Sequence, residues 1–258
     1  MRPLSVRDLR IYGLESRTEL LKVMRLPAYA LPTIGFPAVF YLLFAVALGG
    51  RPQDGAKVAT YMLATYGAFG VIGASLFGFG VSLAVERAQG WLLLKRSMPA
   101  PTGAWIVGKT AVSLVFSAAI VAVLVVLGVL FGHVRMPLGT WARLSAVLVA
   151  GALPFSAFGL ALGYLCGPNS APAVINLIYL PMAFLSGLWV PIEMLPTFMK
   201  NLAVCLPAYH FAQLALQVVG AGRGGPAWSH VLTLAGFTLF SVALALGAFR
   251  RDEGATFG

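Results

Sequence analysis

Six long apolar runs limit what this chain can fold into. Each is close to the roughly 20 residues that an α-helix needs to cross a bilayer. Only 10% of the residues are charged, against about 25% in soluble domains, so the chain cannot cover a water-exposed surface. The pattern therefore predicts an all-α polytopic membrane protein with six transmembrane helices. The runs are Ala28–Leu48, Ala59–Val85, Gly108–Phe131, Trp141–Cys166, Ala173–Val190 and Ser229–Phe249.

The segments between the runs are short, so we expect one transmembrane domain over residues 1–258. Residues 1–27 would form a cytoplasmic interfacial helix, residues 28–249 the six spans, and residues 250–258 a cytoplasmic tail. No segment has the size of a separate soluble domain.

Lysine and arginine are distributed unevenly over the two sides that these spans define. With the N-terminus inside, twelve of the 18 basic residues lie on the inner side and six on the outer side. Cytoplasmic loops are enriched in these residues, so we expect both termini to be cytoplasmic. The outer residues are Arg51, Lys57, Arg135, Arg143, Lys200 and Arg223. The net charge of +10 then reflects this bias and contact with anionic lipid, and no basic soluble domain is present for nucleic-acid binding.

The N-terminal stretch SRTELLKVMRLP, residues 16–27, is predicted to form an amphipathic helix. Ser16 and Glu19 have the spacing of a capping box. The apolar face holds Leu14, Leu21 and Met24, and the polar face holds Glu15, Glu19 and Lys22. Such a helix would lie in the membrane interface. The alternative is a cytoplasmic extension of the first span.

The stretch GAWIVGKT, residues 103–110, fits the G-x-x-x-x-G-K-[ST] pattern of a nucleotide-binding P-loop. Four bulky or apolar residues stand where the backbone must wrap a phosphate, and the stretch leads directly into the third apolar run. No aspartate ends an apolar strand to hold Mg²⁺. We therefore interpret the match as coincidence. Gly108 is expected to let helices pack closely, and Lys109 to extend to the inner lipid surface.

Other constellations of reactive side chains are also weak. Cys205 and His210 come nearest to a metal site, but a stable zinc site needs three or four ligands. The serines have no neighbouring base in the sequence. We therefore predict no catalytic residue and no metal ligand, and the chain is not expected to be an enzyme.

The loop between the second and third spans mixes charged and apolar residues. Glu86, Arg87, Lys95 and Arg96 flank the apolar run of residues 91–94. A simple connector would be short and polar, whereas an apolar and charged segment at the membrane face is suited to a docked partner. An interfacial loop packed on lipid is the alternative, because long cationic side chains can reach water from such a position.

Small and polar residues recur inside the spans. Gly70, Ala74 and Gly78 follow one another every four residues, as do Gly159 and Gly163, which is the pattern of close helix packing. Polar residues within spans can mark a substrate path, and Asn176 is the best candidate. For this residue, substrate contact and an interhelical hydrogen bond remain equally open. Tyr66 and Phe69 belong to an aromatic second span and are further candidates.

Three segments resemble the permease subunits of type-2 ABC exporters, and the resemblance covers nearly the whole chain. Residues 19–49 are similar to the family's basic helix and first span, and ERAQGWLLLKRSMPAP (86–101) to its inner loop. Residues 173–216 contain the F-L-S-G-x-x-x-P-x-x-x-L-P run and a following Leu206–Pro207–Ala208–Tyr209, where the family often has N-P-x-x-Y. The C-terminal RRDEGATFG resembles the daunorubicin-resistance and multidrug branch.

The resemblance implies a coupling helix within residues 86–105 that contacts an ATPase. Glu86, Arg87, Gly90 and Pro99 match the motif, and Lys95 and Arg96 lie inside it. It also implies short re-entrant helices between spans five and six, with Ser186, Pro191 and Glu193 as gate candidates. ATP and Mg²⁺ would bind to a separate ATPase subunit in two copies, and none to this chain. A second copy of the permease would complete a homodimer in the bacterial inner membrane.

The function implied is export of a small amphiphilic or lipid-like compound, such as a drug or an antibiotic, from the cytoplasm or the inner leaflet. Export of a lipid-linked glycan or polysaccharide is one alternative. A non-transporting membrane anchor or sensor for an ATPase is another, of a different class.

Overall fold

The computed structural model describes residues 6–47, 52–97, 101 and 103–257, and every regular element within them is helical. The α-helices are α1 Val6–Met24, α2 Pro27–Phe40, α3 Pro52–Leu76, α4 Ser82–Ala88, α5 Trp91–Ser97, α6 Ala104–Leu130, α7 Leu138–Ala150, α8 Ala152–Leu165, α9 Ala171–Leu185, α10 Thr197–Ala203, α11 Pro207–Val218 and α12 Ala227–Phe257. Two π-helical segments, Tyr41–Ala47 and Phe77–Val81, continue α2 and α3, and Ile192–Met194 forms a 3₁₀ turn. The all-α prediction is confirmed.

The long apolar helices account for most of the predicted spans. Four stretches are long and apolar enough to cross a membrane: Lys57–Ala88, Ala104–Leu130, Leu138–Leu165 and Ala227–Arg251. α1 and α2 meet at 72° and pass the same test as a pair, which raises the number to five. α9 has only 15 residues, about 22 Å at 1.5 Å per residue, so it is shorter than the hydrocarbon core of about 30 Å. The sixth span therefore stays a prediction.

The C-terminus of α9 shows why the fifth predicted span is too long. The span was expected to run to Val190, but the helix ends at Leu185. Gly187 has a φ of 76°, in the left-handed region that favours glycine. Its N–H donates to Phe184 O at 3.1 Å, and the N–H of Leu188 donates to Ala183 O at 3.1 Å. These two bonds form a Schellman motif, which closes the helix.

The glycine stripes pack as predicted. A Cβ at Gly70 would lie 2.6 Å from Pro37 Cγ, and one at Gly163 would lie 2.9 Å from Leu83 Cβ. Real Cβ atoms do not approach other atoms so closely. α2 can therefore contact α3, and α8 can contact α4, because Gly70 and Gly163 have no side chain. α3 thereby lies at the centre of the bundle and packs against α2, α6, α8 and α11.

α1 turns its polar face towards the protein, and its apolar face is exposed. Glu19 is buried, whereas Leu14, Leu21 and Met24 are exposed. This orientation fits an interfacial helix whose leucines meet lipid. The capping-box prediction is wrong, because the helix begins ahead of Ser16, whose hydroxyl donates to Tyr12 O at 2.8 Å. Glu19 is used in a tertiary contact, described below.

Short helices fill the stretch between α9 and α12, and the re-entrant path predicted for them stays a prediction. α10 contacts α9, and α11 contacts α12, α3 and α7. α11 is largely buried, and Phe211 packs against Phe155 of α8 with ring centroids 5.7 Å apart. At the far end of α12, Phe249 meets Tyr164 edge to face at 5.6 Å. The helix continues to Phe257, through residues that were expected to form only a tail.

Candidate functional site

Six charged side chains from α1, α4, α5 and α6 meet in one ion cluster. Its members are Glu15, Glu19, Lys22, Glu86, Lys95 and Lys109. Three carboxylates thus balance three ammonium groups. Charges taken out of water need such partners, because desolvation of an isolated ion costs several kcal/mol. The cluster holds the N-terminal helix against the inner loop and the start of the third span.

Lys109 is the centre of this ion cluster. Its ammonium donates to Glu86 Oε1 at 3.0 Å and to Ser82 Oγ at 2.9 Å, and it lies 3.4 Å from Glu19 Oε2. The residue is only 4% exposed. The expectation that Lys109 extends to the lipid surface is therefore wrong, because buried carboxylates attract it inwards.

The helix that contains Lys109 also argues against a P-loop at residues 103–110. α6 begins at Ala104, so nearly all of residues 103–110 are helical. The N–H of Val107 donates to Gly103 O at 3.1 Å, and such backbone groups are not available to wrap a phosphate. A Cβ at Gly108 would lie 3.2 Å from Glu15 Cγ, so this glycine permits the close approach of α1, as predicted.

Glu19 and Lys95 show how the ion cluster acts on its members. Burial alone would raise the pKa of Glu19, but Lys109, Lys22 and Lys95 outweigh it and hold that pKa below its ordinary 4.5. Burial would lower the pKa of Lys95, but hydrogen bonds to Glu15 at 2.5 Å and Glu19 at 3.0 Å outweigh it and raise that pKa above 10.5. Both groups are thus stabilised in their charged forms.

Glu86 and Arg87, the charged pair of the predicted coupling segment, point into the protein. Glu86 is 4% exposed, and its Oε1 accepts hydrogen bonds from Lys22 and Lys109. Arg87 Nη1 donates to Gly163 O at 2.8 Å and to Tyr164 O at 2.6 Å, at the C-terminal end of α8, where cations are favourable. Both residues therefore position the loop from within.

α5 presents the surface of the same loop. Trp91 is 52% and Leu94 is 54% exposed, whereas Leu92 is buried. Gly90 precedes the helix with a φ of 76°, and a Cβ placed on it would have no heavy atom within 4 Å. Backbone conformation, and not lack of space, therefore requires glycine there. The side chain of Arg96 and all of Pro99 lie outside the described parts of the structure.

A cavity of about 560 Å³ opens between α2, α3 and α9, and we call it the aromatic cavity. Asn176 and Phe69, predicted as substrate-path candidates, both line it. Phe69 stacks on Tyr179 with centroids 4.9 Å apart, and Tyr179 Oη donates to Phe69 O at 2.8 Å. The remaining lining residues are Tyr29, Pro32, Thr33, Phe36, Pro37, Phe40, Gly70, Gly73, Ala74, Phe77, Leu180 and Trp189.

The other gate candidates lie around this cavity and beyond it. Tyr66 is buried, and its hydroxyl donates to Trp189 O at 3.3 Å. Ser186 is buried at the end of α9, and Pro191 precedes the 3₁₀ turn. Glu193 is half-exposed, 3.4 Å from Arg223 Nε. The structure thus places Tyr66 against Trp189, which lines the aromatic cavity, and Glu193 in a separate surface ion pair.

His210, which was considered as a metal ligand with Cys205, instead pairs with His230. The two Nδ1 atoms are 2.8 Å apart, and His210 Nε2 donates to Val204 O at 2.8 Å. The two Nδ1 atoms thus share one hydrogen bond, in which one ring donates and the other accepts. Within the described residues, no group of three His, Cys, Asp or Glu side chains could hold a metal ion.

Sequence reasoning missed the ion cluster and most of the lining of the aromatic cavity. A signal for the first was present, since the polar face of α1 carries Glu15 and Glu19 at i, i+4 spacing opposite the lysines of the inner loop. No comparable signal marked Tyr29 or Trp189, which reach the cavity from segments far apart in the chain.

These features define the class: a multi-pass helical membrane protein, with charges gathered where its helices end and an apolar cavity between them. Residues 14–219 match the ABC-2 type transporter family, and the chain belongs to this family. It is 26% identical over 240 residues to "Putative transport permease YvfS" of Bacillus subtilis (strain 168), covering 93% of this chain and 97% of the relative. The protein is thus the membrane permease subunit of an ABC transporter and not an enzyme, and a separate ATPase hydrolyses ATP.

Proposed function

We propose that this permease exports a small amphiphilic compound, such as a drug or a lipid-like molecule, from the cytoplasm or the inner leaflet. The aromatic cavity carries the proposal. Its volume of about 560 Å³ lies in the range of roughly 300–1,000 Å³ that is usual for small-molecule sites. Its walls are mostly aromatic and aliphatic, with the Asn176 carboxamide and the Thr33 hydroxyl among the polar groups.

This lining favours an amphiphile over a glycan. Phe69 and Tyr179 stack on each other, and Trp189 meets Phe69 edge to face at 5.6 Å. Such surfaces bind flat apolar groups, whereas a sugar chain would need hydrogen-bonding side chains along its length. Asn176 supplies an orienting donor and acceptor at the exposed edge of the cavity.

The ATPase would dock on α5. Trp91 and Leu94 form an exposed apolar pair beside the ion cluster, and tryptophans are frequent anchors of protein interfaces. ATP and Mg²⁺ would bind to this partner, in two copies. Because the ion cluster ties α5 to α1 and α6, displacement of α5 on ATPase closure would be transmitted to the spans.

A second copy of the chain would complete the permease. α2 and α9 both border the aromatic cavity and expose apolar side chains next to it, among them Leu31 and Leu177. A homodimer through these faces would enclose the cavity and bring two Asn176 side chains towards one axis. The lysine and arginine bias supports an inner-membrane location with cytoplasmic termini.

Export from proteoliposomes that contain the permease and its ATPase tests this function. Thr33→Trp fills the cavity from α2, and Thr233→Trp is the matched control. Both hydroxyls donate to the carbonyl four residues earlier, at 2.7 Å for Thr33 and 3.0 Å for Thr233, but Thr233 lies exposed on α12 away from the cavity. We expect Thr33→Trp to reduce transport of fluorescent amphiphiles at least tenfold, and the control to retain it.

Substrate-stimulated ATP hydrolysis separates the alternatives. An exporter of amphiphiles should show stimulation that Thr33→Trp removes, while basal hydrolysis persists. Hydrolysis that no amphiphile stimulates, together with equal transport by the two variants, would contradict the proposed function and favour an anchor or a glycan exporter.

A further inference from the structure

A second cavity, of about 730 Å³, lies at the opposite end of the bundle from the ion cluster. Lys57 lines it from one end of the 32-residue stretch Lys57–Ala88, and Glu86 lies near the other end, roughly 45 Å away at 1.5 Å per residue. His133 and Arg135 line it from the connector between α6 and α7. We call it the basic cavity.

The connector is built to present these two residues together. Val134 is buried, and its N–H donates to Gly128 O at 2.9 Å. His133 has a φ of 50°, so the chain turns there, and His133 and Arg135 are both exposed while Val134 is not. The packing of Val134 thus directs the two basic side chains into the basic cavity.

Among the described residues, the charged side chains that line the basic cavity are all basic. Its lining in the described chain includes Lys57, His133 and Arg135 and no carboxylate, and none of the three has an ion-pair partner among the described residues. The ion cluster at the other end neutralises each lysine with glutamates. Cations gathered in a concave site create a local field that attracts anions, and arginine and lysine are the usual ligands of phosphate.

We propose that the basic cavity binds a phosphate-bearing anion. Lys57 and Arg135 supply the charge, and Thr140 supplies a hydroxyl at the start of α7. The cavity lies beside the ends of two candidate spans, where a helix that crosses a bilayer reaches the lipid headgroups, and basic pockets between membrane helices can bind such groups. The phosphate could come from an anionic phospholipid or from a phosphorylated solute, since the chemistry recognised is the same. This site is separate from the aromatic cavity and does not depend on the exporter proposal.

Lipid titration of the purified permease–ATPase complex, followed by native mass spectrometry, tests the lipid source. Phosphatidylglycerol is compared with phosphatidylcholine for the wild type and for Lys57→Gln/Arg135→Gln. The matched control is Arg143→Gln/Lys200→Gln, two basic residues outside the lining whose side chains donate to Gly139 O and Glu193 O. We expect phosphatidylglycerol to bind at least tenfold more weakly to the first double variant, and within twofold of wild type to the control.

Inorganic phosphate in lipid-depleted detergent tests the soluble source. At equal ionic strength, the unfolding temperature of the wild type should be higher in phosphate than in chloride. The unfolding temperature of Lys57→Gln/Arg135→Gln should be the same in both salts. The conservative Lys57→Arg/Arg135→Lys variant should keep whichever binding the wild type shows, which excludes misfolding as the cause of a loss. If both probes treat the wild type and Lys57→Gln/Arg135→Gln alike, the proposal is wrong.

Discussion

The two ends of the helix bundle handle charge in different ways. At one end, buried Lys109 lies between Glu86 and Glu19, and the ion cluster has no excess charge. At the other end, Lys57 and Arg135 line an open cavity without a carboxylate among the described residues, and the buried histidines His210 and His230 contact each other through their Nδ1 atoms. A buried charge needs a partner of opposite charge, whereas an exposed charge is solvated by water and can bind a ligand.

The difference also separates structural from functional roles. The ion cluster joins α1, α4, α5 and α6, so loss of one member disturbs several helices. The basic cavity joins its elements through Val134 and other apolar contacts, so its basic residues are free for binding. Substitutions of the same residue type at the two ends should therefore have unequal effects on stability.

The largest effect is expected from Lys109→Met. The substitution removes the central cation and leaves Glu19 and Glu86 with less compensation, at a cost of about 3–5 kcal/mol for a broken buried pair. Lys57→Met, an exposed lysine, should change stability by no more than about 0.5 kcal/mol. Unfolding of the detergent-solubilised protein by heat or denaturant measures both. Equal effects of the two variants would mean that the ion cluster does not stabilise the fold.

Acid should destabilise the end of the bundle that contains the ion cluster. The pKa of Glu19 is lower in the folded protein than its ordinary 4.5, so its contribution to stability is complete above that value and is lost as pH falls through the folded pKa. The pKa of Lys95 is raised above 10.5, so its contribution is complete below that value and is lost as pH rises through the folded pKa. Glu19→Gln should flatten the acid limb of the unfolding temperature, measured from about pH 3 to pH 8. An unchanged acid limb would contradict this role of Glu19.

ATPase binding should also distinguish the ends. Trp91→Ala removes an exposed aromatic side chain of α5, and Trp228→Ala removes one from the start of α12, where Trp228 is 68% exposed. If α5 is the docking helix, Trp91→Ala should weaken binding of the ATPase about tenfold, as for a hot-spot residue, and Trp228→Ala should not. Surface-immobilised permease titrated with purified ATPase gives both constants. A stronger effect of Trp228→Ala would place the ATPase at the other end.

The smallest effect concerns two glycines in matching conformations. Gly90 at the ion-cluster end and Gly220 at the other end have φ values of 76° and 75°, with open space around both. Alanine in this backbone region costs about 1 kcal/mol, so Gly90→Ala and Gly220→Ala should destabilise equally. Only Gly90→Ala should also reduce ATPase stimulation, because it reorients α5. Loss of stimulation in both variants would point to general instability instead.

Much of this protein could be predicted from its sequence. The apolar runs predicted helices because an unpaired backbone polar group in lipid costs several kcal/mol and a helix satisfies all of them internally. The glycine stripes at Gly70 and Gly163 predicted close packing, and the bulky residues around Gly108 argued against a phosphate-binding loop. These conclusions depend on local spacing and composition, which the chain carries without reference to its fold.

The tertiary structure alone decided which residues meet. Lys109 contacts Glu19 and Glu86, which lie on separate helices, and a one-dimensional pattern cannot distinguish such a buried lysine from one that extends into lipid. The aromatic cavity likewise combines Tyr29, Phe69 and Trp189 from three parts of the chain. Ion pairs and cavities depend on distances between helices, and those distances result from how the whole bundle packs.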